Sequence, residues 1–129
     1  MTGRVILDTN IVIALWINDL LVYQRIAETN EVLVPAIVLG ELYFGAKKSS
    51  KPSENILRVD NLAAQTTVIP CDLETARHYG RIKAELKSQG TPIPENDIWI
   101  AALAMQYDTA LITRDDHFNA VKGLISERW

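Results

Sequence analysis

Residues Val5 to Trp16 read VILDTNIVIALW, and the one carboxylate inside this apolar run decides how the rest of the chain is read. Val5 to Leu7 has the β-branched character of a strand buried on both faces, and Asn10 is placed to cap a helix through Ile11 to Trp16. Asp8 then stands at the carboxyl end of the strand. An ionised carboxylate taken out of water loses its hydration unless hydrogen bonds or a cation compensate, so a charge at this point requires a partner. An Asx turn with Asn10 is the plain alternative, in which Asp8 only shapes the corner.

The same alternation continues outward. A helical stretch around Asp19 to Glu28 leads to a second buried strand, Val32 to Val34, and Pro35 opens a helix running to about Lys48. The polar loop KKSSKP (Lys47 to Pro52) precedes a helix that Ser53 could cap, with Ile56, Leu57, Val59, Leu62 and Ala63 on it, and a third strand spans Thr67 to Ile69. Asp72 is placed to cap a long amphipathic helix that stops at Gly90. After the loop TPIPEN, Asn96 introduces DIWIAALAMQY, a helix apolar on all sides that must pack between other elements. Ala110 to Thr113 gives a fourth strand, and Leu124 to Ser126 a short last one. Strands alternating with helices imply a mainly parallel sheet covered on both faces, with ligands outside the carboxyl ends of the strands.

With 129 residues and 48% hydrophobic content, the chain suits a single domain, 1–129. Sixteen acidic residues against thirteen Lys plus Arg give a formal charge of -3, which excludes a broadly basic nucleic-acid grip but leaves room for a local patch. Cys71 is the only cysteine, so no internal disulfide or CxxC pair exists, and it reads as a small buried residue. The longest apolar run, Ile98 to Met105, is far short of a membrane span, and no basic leader is visible. A cytoplasmic protein is expected.

Three further acids share the setting of Asp8. Glu41 is the only charge in PAIVLGELYFGA (Pro35 to Ala46), Asp97 begins the apolar helix, and Asp115 follows ALITR at the end of the fourth strand. Two at strand ends and two on helices leaving the same edge can be gathered by a parallel sheet. Crowded carboxylates repel one another and raise one another's pKa unless a cation sits among them. All-oxygen ligation points to Mg²⁺ or Mn²⁺, which activate water for attack on a phosphodiester. The sequence contains no HExxH, no GxxxxGK[ST] loop and no nucleophile elbow.

At these residues the sequence resembles the PIN-domain family, in particular the VapC-type ribonuclease toxins of toxin–antitoxin pairs. The likeness runs through VILDTNIVIAL, PAIVLGELYFGA, PENDIWIAALA and LITRDDHF, in order, over nearly the whole chain. It implies a three-layer α/β/α sandwich, Mg²⁺- or Mn²⁺-dependent endonucleolytic cleavage of RNA, a homodimer, and neutralisation by a small cognate antitoxin. The family's metal-binding and catalytic acids fall on Asp8, Glu41, Asp97 and Asp115, with the adjacent Asp116 as the alternative for the last. Other functions consistent with the residues are a housekeeping RNA-processing nuclease, a catalytically silent PIN-like binding module, and a phosphatase using a strand-end Asp, although Asn10 stands where that chemistry usually places a second Asp.

Around these acids, Thr9 and Asn10 could orient Asp8, and Glu41 could instead pair with Lys47 or Lys48. Arg114 is the better candidate to meet phosphate, ahead of His117 and of the helix carrying Arg77, Arg81, Lys83 and Lys87, whose interspersed acids suit a solvated face. Trp16, Leu20, Leu21, Tyr23, Leu39, Tyr43 and Phe44 exceed what one face of each early helix can bury, so some of them should cover another surface: a second copy, or a segment of a partner protein whose Arg or Lys reaches the acids.

Overall fold

The computed structural model describes residues 2–129. Five strands, β1 (Thr2–Leu7), β2 (Thr29–Pro35), β3 (Thr67–Ile69), β4 (Leu111–Ile112) and β5 (Ser126–Glu127), form one sheet in the order β3-β2-β1-β4-β5. Every pairing is parallel, with Ile6 beside both Leu33 and Leu111. The central strand β1 is apolar at consecutive positions because both its faces are covered: Val5, Ile6 and Leu7 are all fully buried.

Helices α1 (Thr9–Trp16), α2 (Leu20–Ala27), α3 (Ala36–Lys47) and α4 (Pro52–Gln65) connect strands that advance from β1 towards β3. Helices α5 (Leu73–Gln89) and α6 (Glu95–Gln106) connect back across to β4. Right-handed crossovers therefore put the first four helices on one face and the last two on the other, a three-layer α/β/α sandwich. The direction of progression reverses between β1 and β4. In a parallel sheet that reversal opens a crevice beyond the carboxyl ends of the two strands, which is where Asp8 and the segment 113–115 lie. Among the described residues no helix is long and apolar enough to cross a membrane.

Several local expectations change. Asp8, not Asn10, caps α1, accepting the Thr9 N–H at 2.8 Å; the Asn10 side chain turns instead towards Asp8 and Arg114. Ser53 does not cap α4, because Pro52 occupies the first helical position and brings no N–H to satisfy. Asn96 lies inside the first turn of α6, which begins after Pro94. The last strand is Ser126–Glu127 rather than Leu124 to Ser126, set by pairing with β4. Cys71 is exposed rather than buried. The cap of α5 is as read: Asp72 and Thr75 form a reciprocal capping box, and Gly90 ends the helix at φ 70°. Beyond its polar first turn, α6 buries Ile98 and Ile100 through Ala104. Of the early apolar surplus, Leu20, Leu21, Tyr23 and Phe44 are exposed, Trp16 and Tyr43 are partly buried, and Leu39 belongs to the core.

Candidate metal centre

The sheet collects the acids by topology. Asp8 ends β1 and is only 5% exposed. Its Oδ1 accepts the Thr9 N–H, and its Oδ2 accepts the Thr113 hydroxyl at 2.7 Å and the Asn10 amide at 3.2 Å. Burial nevertheless outweighs these bonds and pushes the carboxyl above its ordinary value, with the charge of Asp115 acting in the same direction. Asp97, in the first turn of α6, is also pushed up by burial; a hydrogen bond with His117 opposes the shift, and the charges of Asp8 and Asp115 reinforce it. Glu41, on α3, is raised first by burial and then by the charges of Asp8 and Asp97. The three acids thus feel one another although they come from three different elements.

Asp115 follows β4. Its N–H donates to the Thr113 hydroxyl at 3.0 Å, and its Oδ1 accepts the His117 N–H at 2.9 Å. The His117 ring carries Nδ1 to 3.3 Å from Asp97 Oδ2 and 3.1 Å from Asp115 Oδ1. Asp97, Asp115 and His117 each offer one ligand atom within 4.8 Å of the other two, and Asp8 and Glu41 fall outside that triplet. Asp116 points away, its side chain 90% exposed with Arg128 at 4.0 Å. The Glu41 Oε1 and Thr9 Oγ1 atoms are buried without a hydrogen-bond partner, and Lys48 lies over the Phe44 ring rather than on Glu41. A buried carboxylate oxygen left unpaired is costly, and carboxylates around one crevice fit a hard divalent cation.

A family model described as PIN domain matches residues 5–124. The chain belongs to the PIN-domain family. It is of the VapC type, the toxin of a toxin–antitoxin system. It is 36% identical over 129 residues to Ribonuclease VapC2 of Haemophilus influenzae, covering 98% of each chain. It is 31% identical over 129 residues to the tRNA(fMet)-specific endonuclease VapC of Shigella flexneri, again covering 98% of each. Among solved structures it is similar to the DNA-bound VapBC of Salmonella typhimurium, at TM-score 0.91 and 31% identity over 100% of this chain and 99% of the other.

Within this PIN domain, sequence reasoning overlooked Thr113 and undervalued His117. Thr113 is a polar residue at the end of a buried strand, two positions before an acid, and that placement was its only signal. Its hydroxyl reaches Asp8, 105 positions away in sequence, and also holds the Asp115 backbone. The guanidinium of Arg114, expected to meet phosphate, is engaged at two of its nitrogens, by Asp19 at 2.6 Å and by the main-chain oxygen of Trp129 at 2.8 Å. On α5, Arg77 pairs with Glu74, Arg81 with Glu85, and Lys83 with Glu95 on α6, as a solvated face would.

Proposed function

We propose that this PIN domain is an endoribonuclease whose Asp8, Glu41, Asp97 and Asp115 hold Mg²⁺ or Mn²⁺ and carry the hydrolysis of RNA phosphodiesters. The observation that carries this is the gathering of Asp97, Asp115 and His117, with ligand atoms within 4.8 Å of one another, beside the buried Asp8, while burial and neighbouring carboxylates raise the pKa of Asp8, Glu41 and Asp97. A divalent cation bound there offsets the repulsion and supplies the Lewis-acid charge that activates water and neutralises the phosphodiester. The chain's own part is orientation. Thr113 and Asn10 orient the Asp8 carboxylate, His117 spans Asp97 and Asp115, and α3 brings Glu41 within the influence of Asp8 and Asp97. RNA as substrate is supported by the names of the relatives, one of which is a tRNA-specific endonuclease.

The same reading includes a cytoplasmic location, a homodimer and a small antitoxin partner. The exposed Leu20, Leu21 and Tyr23 on α2 and Phe44 on α3 support a further covered surface. A groove of about 220 Å³ between α1, α3 and α4 runs from Thr9 and Glu41 past Ile13 and Trp16. It suits an antitoxin segment whose Arg or Lys reaches Glu41 and displaces the metal.

Purified protein incubated with total RNA and with tRNA should cut only when Mg²⁺ or Mn²⁺ is added. Cleavage undiminished in excess EDTA, with contaminating nuclease excluded by an Asp8→Asn control, overturns the metal mechanism. Metal binding without cleavage of any RNA overturns the nuclease reading.

A further inference from the structure

Arg114 lies between Thr113 and Asp115 in sequence, yet none of its hydrogen bonds goes to Asp8, Glu41, Asp97 or Asp115. Its groups are used elsewhere. Nη2 donates to Asp19 Oδ2 at 2.6 Å, Nε donates to the main-chain oxygen of Trp129 at 2.8 Å, and the backbone N–H donates to Asn10 Oδ1 at 3.1 Å. Its own carbonyl accepts from Arg128 Nη1 at 2.8 Å. The two anchors of the guanidinium are themselves fixed. Asp19 caps α2, its Oδ1 accepting the Val22 N–H, and Trp129 is buried, with its indole N–H donating to Glu127. Thr113 is held from the same side, its N–H donating to the Glu127 carbonyl at 3.0 Å. The segment 113–115 leaves a strand only two residues long, so the ladder alone gives it little support, and the residues on either side of Arg114 are the ones that touch Asp8 and His117.

We propose that Arg114, locked between Asp19 and the main-chain oxygen of Trp129, is a positioning residue that fixes the segment carrying Thr113 and Asp115 against Asp8. The planar guanidinium suits this task because it presents donors to two acceptors in one fixed plane, which a lysine ammonium on a flexible stem does not reproduce. The clamp reaches α2 and the segment after β5, so it ties the crevice to two elements that supply none of its acids.

The test uses Arg114→Lys and Asp19→Asn. Lysine keeps the charge and loses the fork; asparagine removes the ion pair and keeps an oxygen to cap α2. In the metal-free protein, amide exchange at Arg114, Asp115 and His117 should rise roughly tenfold or more in both variants, with the Ile6 amide between β1 and β4 unchanged as the control for folding. Mn²⁺ affinity, read by electron paramagnetic resonance, should weaken by roughly tenfold, the usual effect of removing a group that orients a ligand. RNA cleavage should lose kcat with KM unchanged. Trp129→Phe, which keeps a buried ring and the main-chain oxygen, should stay near wild type in all three. Exchange at Asp115 within about twofold of wild type in both variants overturns the clamp, as does a rise in KM alone, which would mean that Arg114 meets substrate. The metal readout rests on the function proposed above. If the wild-type protein binds no Mn²⁺, that function fails, and the exchange measurement still decides the clamp.

Discussion

Replacing Thr113 with valine removes one hydroxyl at nearly constant volume, from a side chain only 5% exposed. That hydroxyl donates to the Asp8 carboxylate at 2.7 Å and accepts the Asp115 N–H at 3.0 Å. A hydrogen bond to a charged group contributes about 1.5–3 kcal/mol, and leaving a partly buried N–H without its acceptor costs about 1 kcal/mol more. Thr113→Val should therefore destabilise the metal-free protein by about 3 kcal/mol, a fall in Tm on the order of 10 °C for a chain of this length. Thr113→Ser keeps the hydroxyl and should lose less than about 1 kcal/mol, the worth of one buried methyl. The deficit should also depend on pH. The Thr113 bond is one of the influences holding the Asp8 pKa down; without it the folded-state pKa moves still further above the unfolded one. The variant is then closest to wild type in acid, where Asp8 is protonated in both proteins, and falls behind as pH rises from the raised folded pKa of the wild type through the still higher one of the variant. Thermal melts in EDTA from pH 4 to pH 8, repeated in an Asp8→Asn background, check this. A Thr113→Val deficit under about 0.5 kcal/mol, or one equally large with Asp8 neutralised, would refute the reasoning.

Asp8→Asn and Asp97→Asn should each abolish most RNA cleavage; Asp97→Asn, which removes charge from a crowded set, should leave the metal-free protein melting at or above the wild-type temperature, and a fall of many degrees would mark Asp97 as structural. Asp8, Glu41 and Asp97 all have folded pKa values above the ordinary 3.8 to 4.5, so their stabilising protonated forms are lost as pH rises through those raised values. A divalent cation needs deprotonated carboxylates, so the effect of Mg²⁺ on Tm should be small near pH 4 and grow towards neutrality; an equal effect at both contradicts the proposed centre. Leu20→Asp with Tyr23→Ser should leave the RNA cleavage of isolated protein unchanged and weaken its assembly, measured by sedimentation against wild type and with the neighbouring gene product co-expressed; unchanged assembly in both settings removes α2 from any interface.

The local features of the chain were legible because they are written in short windows. Apolar runs named the five strands to within a few residues, Asp72 and Gly90 bracketed α5, and the lack of a polar face on α6 announced its burial. Where windows were ambiguous, the expectation slipped. DTN holds two residues able to cap a helix, and the choice of Asp8 over Asn10 depends on the bond that draws Asn10 towards Arg114. Pro52 pre-empted Ser53 because a residue without an N–H starts a helix that needs one acceptor fewer.

The four acids stood out in the sequence for a physical reason: a charge within an apolar run is expensive wherever that run is buried, whatever the fold. The α/β alternation then placed them at one edge of a parallel sheet. Which atoms meet there was settled only by tertiary structure. The Thr113 hydroxyl on Asp8, the His117 ring between Asp97 and Asp115, and Arg114 turned away to Asp19 and Trp129 join residues from 2 to 105 positions apart. No periodicity reports such contacts, because they are set by the reversal of strand order between β1 and β4. That reversal brings the ends of two strands distant in sequence within one hydrogen bond of each other.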